Sequence, residues 1–441
     1  MKALTSFFDR MVQRYLPDAF LFAIILTFVV YLLGVFFTDS GPIQMIEHWG
    51  TGFWDLLEFA MQMSLVVVTG YILASTPVVK RFLEKLSTLA KTPSQAVMLV
   101  TFVALIACLI NYGFGLVVGA LFAIHVARRV PTVDYRILIA SAYSAFIVWH
   151  GGFSASIPLT IATPGHFLED TMGLIPVVQT LFSPFNIFVV VVLVITLPFF
   201  NRYLLKSTEN TDKKVDNTAL RPPEDDDELV ESKATTPAEK LENSQIPSLI
   251  IGVMGLAFVI YHFVNSGFDL NINIVNFIFL FLGIILHRTP RRFLDSVGKG
   301  VKNAGGIIIQ FPFYAGIMGM MVASGLSDQM SLFFVNIATD YTLPFLSFIS
   351  AGLVNFFVPS GGGQWAVQGP IMIDAALQLD ADVAKTTMAI AWGDAWTNMI
   401  QPFWALPALA IAGLKVRDIM GFCVMILLFS FIPITIGLLV F

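Results

Sequence analysis

Four short segments within apolar stretches of the sequence combine glycine or proline with uncharged polar residues. Two lie at 111–115 and 359–365, and two lie at 150–158 and 394–402. Glycine and proline interrupt helices, which frees backbone N–H and carbonyl groups beside Ser, Thr, Asn and Gln side chains. A half-helix that starts at such a break directs its N–H groups and positive dipole end at the space in front of it. The pattern therefore predicts a carboxylate site, with carbonyl groups at opposing helix ends available to a cation.

The residues in or next to these segments are the candidates for substrate binding. They are Asn111, Tyr112, Gly113, Gly151, Gly152, Ser154, Ser156, Asn355, Ser360, Gly361, Gly362, Gly363, Gln364, Trp365, Thr397, Asn398 and Gln401. Glycine kinks that serve helix packing are the alternative interpretation. Four breaks that occur in two matching pairs exceed what packing requires.

Two ionisable residues, His150 and Asp394, each lie at the start of a predicted helix break. Ionisable side chains at membrane depth are costly and commonly mark an ion or substrate path. Histidine changes charge near neutral pH, and a carboxyl group removed from water can do so too. We therefore expect this pair to handle the coupling ion, with hydrogen-bonded helix caps as the alternative. No metal-ligand or cofactor motif occurs, so we expect neither a metal nor a cofactor.

The composition places these segments in a membrane protein. Hydrophobic residues make up 56% of the 441 residues and charged residues only 12%, which is too little charge to cover a soluble surface. The chain has no basic field for nucleic acid. Cys108 and Cys423 both lie in apolar runs, which argues against a disulfide framework.

Nine apolar stretches are long enough to be full membrane spans. They are 18–37, 54–76, 138–164, 183–200, 246–264, 272–287, 305–325, 385–413 and 417–441. If the N-terminus is inside, the outside loops contain no Lys or Arg, and nearly all basic residues fall inside. The positive-inside rule therefore predicts a cytoplasmic N-terminus and a C-terminus on the opposite side.

Two further apolar stretches, 95–127 and 343–376, are interrupted near the middle and begin and end on the same side. The arms of the first are only about 24 Å long at about 1.5 Å per residue, and Asn111-Tyr112 alone joins them. A re-entrant hairpin that turns inside the membrane fits better than two full spans. Such backbone is tolerated where protein or a water-filled cavity surrounds it. We expect the spans 138–164 and 385–413 to be broken helices.

Two segments are predicted to lie outside the spans. Residues 1–17 place apolar and basic side chains on different helical faces, which predicts an amphipathic interfacial helix. Residues 201–245 hold 11 acidic and 7 basic residues and several prolines, which predicts a disordered acidic cytoplasmic linker. A tether between two halves is the simpler role for this linker, and an acidic regulatory site is the alternative.

The two halves of the chain resemble each other. GYILAS at 70–75 matches GMMVAS at 319–324, and ALIACLIN at 104–111 matches FISAGLVN at 348–355. These matches predict repeat units at 18–200 and 267–441 with a connecting span at 246–266. Because four crossings per unit and one connecting span make an odd number, the second unit is expected to be inverted. Inverted repeats with broken helices are typical of secondary transporters, which bind substrate between the repeats.

Three long segments resemble the bacterial short-chain fatty acid transporter family, whose members take up acetoacetate and butyrate. They are WHGGFSASIPLTIATPGH (149–166), NFFVPSGGGQWAVQGP (355–370) and AWGDAWTNMIQPFWALP (391–407). The resemblance covers essentially the whole chain. It implies membership of the ion transporter superfamily, with homodimers, inverted repeats, re-entrant hairpins and an elevator-type transport domain.

The predicted hairpin tips depart from a pattern in that superfamily. Better-known dicarboxylate members carry Ser-Asn-Thr at each tip, where sodium and carboxylate bind. The tips here read Asn111-Tyr112-Gly113 and Ser360-Gly361-Gly362. Sodium coupling therefore does not transfer from the resemblance.

The sequence predicts a secondary active transporter of short-chain monocarboxylates in the bacterial inner membrane, with a periplasmic C-terminus. No Lys or Arg is expected at the depth of the substrate, which favours one carboxylate over two and requires a co-transported cation. We favour a proton carried by Asp394 and tuned by His150, with sodium as the alternative. A passive anion channel and a membrane-embedded enzyme are less favoured.

An elevator-type mechanism divides the predicted elements into a moving part and a fixed part. The hairpins 95–127 and 343–376 and the broken spans 138–164 and 385–413 are expected to form the transport domain. The expected scaffold consists of spans 18–37, 54–76, 272–287 and 305–325.

Overall fold

The computed structural model describes residues 19–206, 236–401 and 403–441. All regular structure within these ranges is helical, and they contain no strand. The predicted interfacial helix at 1–17 lies outside the described residues, as does the central part of the predicted linker, 207–235. The expected all-α fold is confirmed for the described part of the chain.

The described residues of the first half of the chain form ten α-helices. They are α1 (Ala19–Phe37), α2 (Pro42–Gly52), α3 (Leu57–Ala74), α4 (Pro77–Ser87), α5 (Pro93–Ile110), α6 (Tyr112–Arg129), α7 (Tyr135–Ser144), α8 (Ser156–Ile161), α9 (Glu169–Met172) and α10 (Pro184–Leu205). A 3-10 helix, Ala145–Gly151, continues α7 towards α8. The predicted broken span 138–164 is therefore interrupted at 152–155.

The second half forms eleven α-helices in its described residues. They are α11 (Pro237–Glu242), α12 (Ile246–Ser266), α13 (Ile272–His287), α14 (Pro290–Gly300), α15 (Gly305–Ala323), α16 (Leu326–Ile337), α17 (Leu343–Val354), α18 (Gly361–Gln378), α19 (Val383–Thr397), α20 (Ala405–Ala412) and α21 (Val416–Val440). A short 3-10 helix, Val301–Asn303, precedes α15. The predicted broken span 385–413 is interrupted between α19 and α20.

The order of helices recurs along the chain. The first residues of α2 and α14 are 248 positions apart, those of α3 and α15 are also 248 apart, and those of α6 and α18 are 249 apart. These separations agree with the sequence matches. The recurrence supports two repeat units, and the inversion of the second unit stays a prediction.

Eight stretches of the described residues are long and apolar enough to cross a membrane. Seven coincide with predicted full spans, and the eighth is α5, which was expected to be a hairpin arm. This helix starts at Pro93, two residues before the predicted arm, because Thr92 Oγ1 caps it by accepting a hydrogen bond from Gln95 N (3.3 Å). The other two predicted spans are a 16-residue apolar helix, α13, and the divided pair α19 and α20. The re-entrant geometry of both hairpins stays a prediction.

The burial of the candidate spans differs sharply. Only 17% of the apolar stretch in α1 and in α12 is buried, whereas 89% of the apolar stretch in Tyr135–Ile161 is buried. The apolar side chains of α1 and α12 are therefore available to lipid, and the first broken span lies in the centre of the protein.

The predicted linker boundaries differ from those of the helices. Helix α10 continues to Leu205, five residues beyond the end of the predicted first unit, and Leu204 is buried. Thr236 and Glu239 form a capping box that starts α11 within the predicted linker. Both ends of the range 201–245 are thus helical, because local caps and packing extend the order past the apolar runs.

Candidate functional site

The tip between α17 and α18 exposes backbone donors at a helix start. Ser360 Oγ caps α18 by accepting from Gly363 N (3.4 Å), and Gln364 N donates to the Ser360 carbonyl oxygen (2.7 Å). Among the described residues, no acceptor pairs with the N–H groups of Gly361 and Gly362. Two donors at the positive end of an 18-residue helix are therefore available to an anion.

Gly361 brings this tip against the first helix break. A Cβ atom at Gly361 would lie 2.5 Å from His150 Nε2 and 2.6 Å from Ser156 Oγ. These two side-chain atoms are consequently at most about 5 Å apart, the sum of the two distances. Only glycine fits such a close approach. Ser156 Oγ is buried and has no hydrogen-bond partner within the described ranges.

His150 and Asp394 form a direct pair between the two breaks. His150 Nε2 lies 3.1 Å from Asp394 Oδ2, and both side chains are fully buried. Asn398 Nδ2 donates a second hydrogen bond to Asp394 Oδ2 (3.1 Å). His150 Nδ1 and Asp394 Oδ1 have no partner in the described part of the chain. A buried carboxylate needs such donors to offset its loss of hydration, so His150 and Asn398 together stabilise the side chain of Asp394 next to the tip.

Asn355 holds the second break in place. Its Nδ2 atom lies 2.9 Å from Thr397 Oγ1, 3.0 Å from Asn398 Oδ1 and 3.1 Å from the Asp394 carbonyl oxygen. The Tyr143 hydroxyl donates to the Asn398 carbonyl oxygen (2.6 Å). These bonds satisfy backbone and side-chain groups that the end of α19 leaves free, and they orient Asn398 towards Asp394.

The tip between α5 and α6 is closed by protein contacts. Asn111 Oδ1 accepts from Phe114 N (2.8 Å), and Asn111 Nδ2 donates to the Val66 carbonyl oxygen on α3 (3.3 Å). Tyr112 N donates to Ser154 Oγ (2.9 Å). A Cβ atom at Gly113 would lie 3.2 Å from the Val67 carbonyl oxygen. Tyr112 N and Phe114 N at this tip are therefore bonded to protein, whereas Gly361 N and Gly362 N at the α17–α18 tip are unpaired among the described residues.

Gly151 and Gly152 serve the packing of the first break. A Cβ atom at Gly152 would lie 2.5 Å from the Leu109 carbonyl oxygen. The Gly151 carbonyl oxygen accepts from Asn186 Nδ2 (3.3 Å), and Trp392 Nε1 donates to Asn186 Oδ1 (3.0 Å). Asn186 thus connects α10 to both breaks. Sequence reasoning missed this residue, whose only signal is an amide at the start of an apolar span.

Four other candidates have contacts that do not involve the pair. Gln364 Nε2 donates to the Ala351 carbonyl oxygen (2.9 Å) inside the hairpin, and Gln401 Oε1 accepts from Phe403 N (2.8 Å) in a local turn. Trp365 is fully buried. A Cβ atom at Gly363 would meet the ring of Tyr314 at 2.6 Å. The geometry therefore concentrates the candidate site on the second tip, with His150, Ser156, Gly361, Asp394 and Asn398.

Comparison with known proteins identifies the family. The sequence profile of a family described as short-chain fatty acid transporters matches residues 1–441. The chain belongs to this short-chain fatty acid transporter family. A relative from Escherichia coli (strain K12), provisionally named as a short-chain fatty acid transporter, is 49% identical over 99% of each chain. A relative from Haemophilus influenzae with the same provisional name is 48% identical over 99% of this chain and 98% of its own.

A solved transporter structure has a similar fold. The crystal structure of the YdaH transporter of Alcanivorax borkumensis has a TM-score of 0.59 and 16% sequence identity, and the match covers 96% of this chain and 97% of that one. The expected resemblance and the expected class, a multi-span helical transporter of the inner membrane, are confirmed. The names of the family and of these relatives indicate a transporter, which is consistent with the expectation that the chain is not an enzyme.

Proposed function

We propose that this protein of the short-chain fatty acid transporter family carries monocarboxylates such as acetoacetate or butyrate across the bacterial inner membrane. The substrate carboxylate binds at the tip of α18. The observation that carries this proposal is the pair of unpaired N–H groups at Gly361 and Gly362 beside the unpaired hydroxyl of Ser156. No described Lys or Arg side chain is buried, so a second carboxylate would have no cationic partner.

The charge of the site favours proton symport. In this proposal Asp394 is ionised and His150 is neutral, so the hydrogen-bonded pair carries one negative charge next to Gly361. A second negative charge on the substrate would be repelled strongly in a buried environment. One proton taken up by the pair with each monocarboxylate removes this repulsion. We therefore propose that Asp394 is the proton carrier and that His150 tunes it.

Sodium is the alternative coupling ion. Asp394 Oδ1 and Asn355 Oδ1 are buried oxygen atoms with no partner in the described ranges, and oxygen atoms are the ligands that such a cation takes. Sodium would neutralise the same negative charge by direct coordination. The coupling ion is identified by which imposed gradient, proton or sodium, drives uptake, and the choice of substrate does not identify it.

The positions of the tips are consistent with an elevator-type mechanism. The α5–α6 tip packs on α3, and α18 packs on α15, which are both predicted scaffold spans. We propose that the hairpins and broken spans move together against this scaffold, in a homodimer with a cytoplasmic N-terminus and a periplasmic C-terminus.

Uptake by purified protein in proteoliposomes tests the function and its coupling. Labelled acetoacetate or butyrate is supplied outside, and proton and sodium gradients are imposed separately. We expect accumulation on a proton gradient without sodium. Accumulation that requires sodium and ignores pH would show that sodium is the coupling ion.

Asp394→Asn separates coupling from binding. The substitution keeps the size and hydrogen bonding of the side chain but removes its titration, so we expect it to abolish accumulation on a proton gradient and to preserve exchange between equally loaded sides. Asp374→Asn is the matched control, because Asp374 bonds only to Gln378 near the far end of α18. If Asp394→Asn still concentrates substrate on a proton gradient alone, Asp394 is not the carrier.

A further inference from the structure

The two glycines at the start of α18 face chemically different surroundings. Gly361 lies against the polar atoms of His150 and Ser156. A Cβ atom at Gly362 would instead lie 2.8 Å from Phe59 Cζ and 3.1 Å from Phe311 Cζ. Because consecutive Cα atoms are about 3.8 Å apart, the polar and the aromatic surroundings of this tip are adjacent to each other.

The aromatic side of the tip is built by two predicted scaffold helices. Phe59 on α3 and Phe311 on α15 pack edge to face, with ring centroids 5.5 Å apart. Phe167, in the loop after α8, packs on Phe59 with centroids 5.6 Å apart. Phe59 and Phe311 are both buried, at 6% and 1% exposure. The rings therefore form a fixed apolar wall next to Gly362.

A cavity lies on Phe59. It has a volume of about 80 Å³ and is lined by Leu56, Phe59 and Phe167 on its apolar side and by polar residues that include Asp55, Glu58 and His166. Since Phe59 touches both the tip and the cavity, its ring limits the space beside Gly362. A shorter side chain at this position would extend that space towards the cavity.

We propose that Phe59 and Phe311 are specificity-determining residues that limit the length of the acyl tail. This inference rests on the proposed function, with the carboxylate at the N–H groups of the tip and the tail against the two rings. Both rings already lie against Gly362, so a short tail displaces them little, and a longer tail meets the ring of Phe59. An apolar wall also suits a tail that carries no second charge.

The test compares a series of acids from acetate to hexanoate as competitors of labelled butyrate uptake in proteoliposomes. In Phe59→Leu we expect the inhibition constants of valerate and hexanoate, relative to butyrate, to improve by up to about fourfold per methylene group, which is the value of one buried methylene. Phe311→Leu should shift the profile in the same direction. In Phe59→Trp the larger ring should weaken butyrate more than acetate.

Phe313→Leu is the matched control for Phe311→Leu. Phe313 lies on the same helix but packs on Phe20 and Phe53, at centroid distances of 5.2 and 5.4 Å. The Phe313→Leu variant should therefore have the same preference for acyl chain length as the wild type. If the wild type takes up short-chain acids and the Phe59 and Phe311 variants have the same chain-length profile, this inference is wrong and the proposed function is unaffected. A wild type that takes up none of these acids overturns both. If Phe59→Leu does not fold, Phe311→Leu and Phe59→Trp decide the question by the same profile.

Discussion

The two hairpin tips come from equivalent positions of the repeat, yet their backbone donors have different partners. At the first tip a single residue, Asn111, joins α5 and α6, and both Tyr112 N and Phe114 N are bonded to protein. At the second tip the six residues 355–360 join α17 and α18, and the first two N–H groups of α18 are unpaired among the described residues. The comparison supports the proposal that the second tip binds substrate and that the first is a structural joint.

The surroundings of the tips explain this difference. The first tip packs against the backbone of α3 and is closed on its other side by Ser154. The second tip meets His150 and Ser156, whose remaining polar atoms have no protein partner in the described part of the chain. A repeated helix arrangement can therefore keep its backbone layout while the second copy leaves two adjacent donors unpaired and the first leaves one, Gly113 N, among the described residues.

Gly361→Ala should have the largest effect on transport. The added Cβ atom would lie 2.5 Å from His150 Nε2 and would displace a carboxylate from the N–H groups, so we expect the apparent affinity to fall by about 100-fold or more. Uptake kinetics in proteoliposomes measure this loss. Gly298→Ala is the control, because nothing lies within 4 Å of its added Cβ atom. Near-normal affinity in a folded Gly361→Ala protein would remove the second tip from the site.

Asn111→Ala should mainly lower stability. The variant loses a helix cap and the bond to Val66, and a lost cap alone costs about 0.5–2 kcal/mol. We expect a lower melting temperature in detergent, with a butyrate Kd within about threefold of the wild-type value. A tenfold weaker Kd with an unchanged melting temperature would make the first tip a binding element and break the comparison.

The sequence indicated both helix breaks, both tips and the two ionisable residues, because glycine, proline and buried charge are local signals. It did not indicate which tip binds, since the partners of a helix start depend on the residues packed against it. In the sequence Asn111 and Ser360 are both polar residues at a predicted tip, and only the residues packed around each tip show that their environments differ. Phe59 was not predicted either, because one ring among 41 phenylalanines carries no distinguishing pattern.

The smallest expected effect is the pH dependence of stability that comes from His166, in the loop after α8. Burial lowers the pKa of His166, and the Gly173 carbonyl and Glu169 oppose this shift only in part. His166 Nδ1 accepts from Leu168 N (3.3 Å), which requires that nitrogen to be unprotonated. A depressed histidine pKa means that protonation favours the unfolded chain, so this stability is present above about pH 6.5 and is lost as the pH falls towards the folded pKa.

Melting curves at about pH 7.5 and pH 5.5 measure this dependence. The wild type should lose more of its melting temperature on acidification than His166→Gln, which has no titrating ring. Equal losses in the two proteins would exclude a contribution from His166.

The most direct test of the central claim compares two serines of the first break that differ in the tip they face. Ser154 Oγ accepts from Tyr112 N at the first tip, and Ser156 Oγ lies beside Gly361 at the second. Equilibrium binding of labelled butyrate to purified Ser154→Ala and Ser156→Ala measures the role of each. A hydrogen bond to a charged group is worth about 1.5–3 kcal/mol, so Ser156→Ala should raise the Kd about 10- to 150-fold, with Ser154→Ala near the wild-type value. The opposite ranking, in two folded proteins, would contradict the assignment of the substrate to the tip of α18.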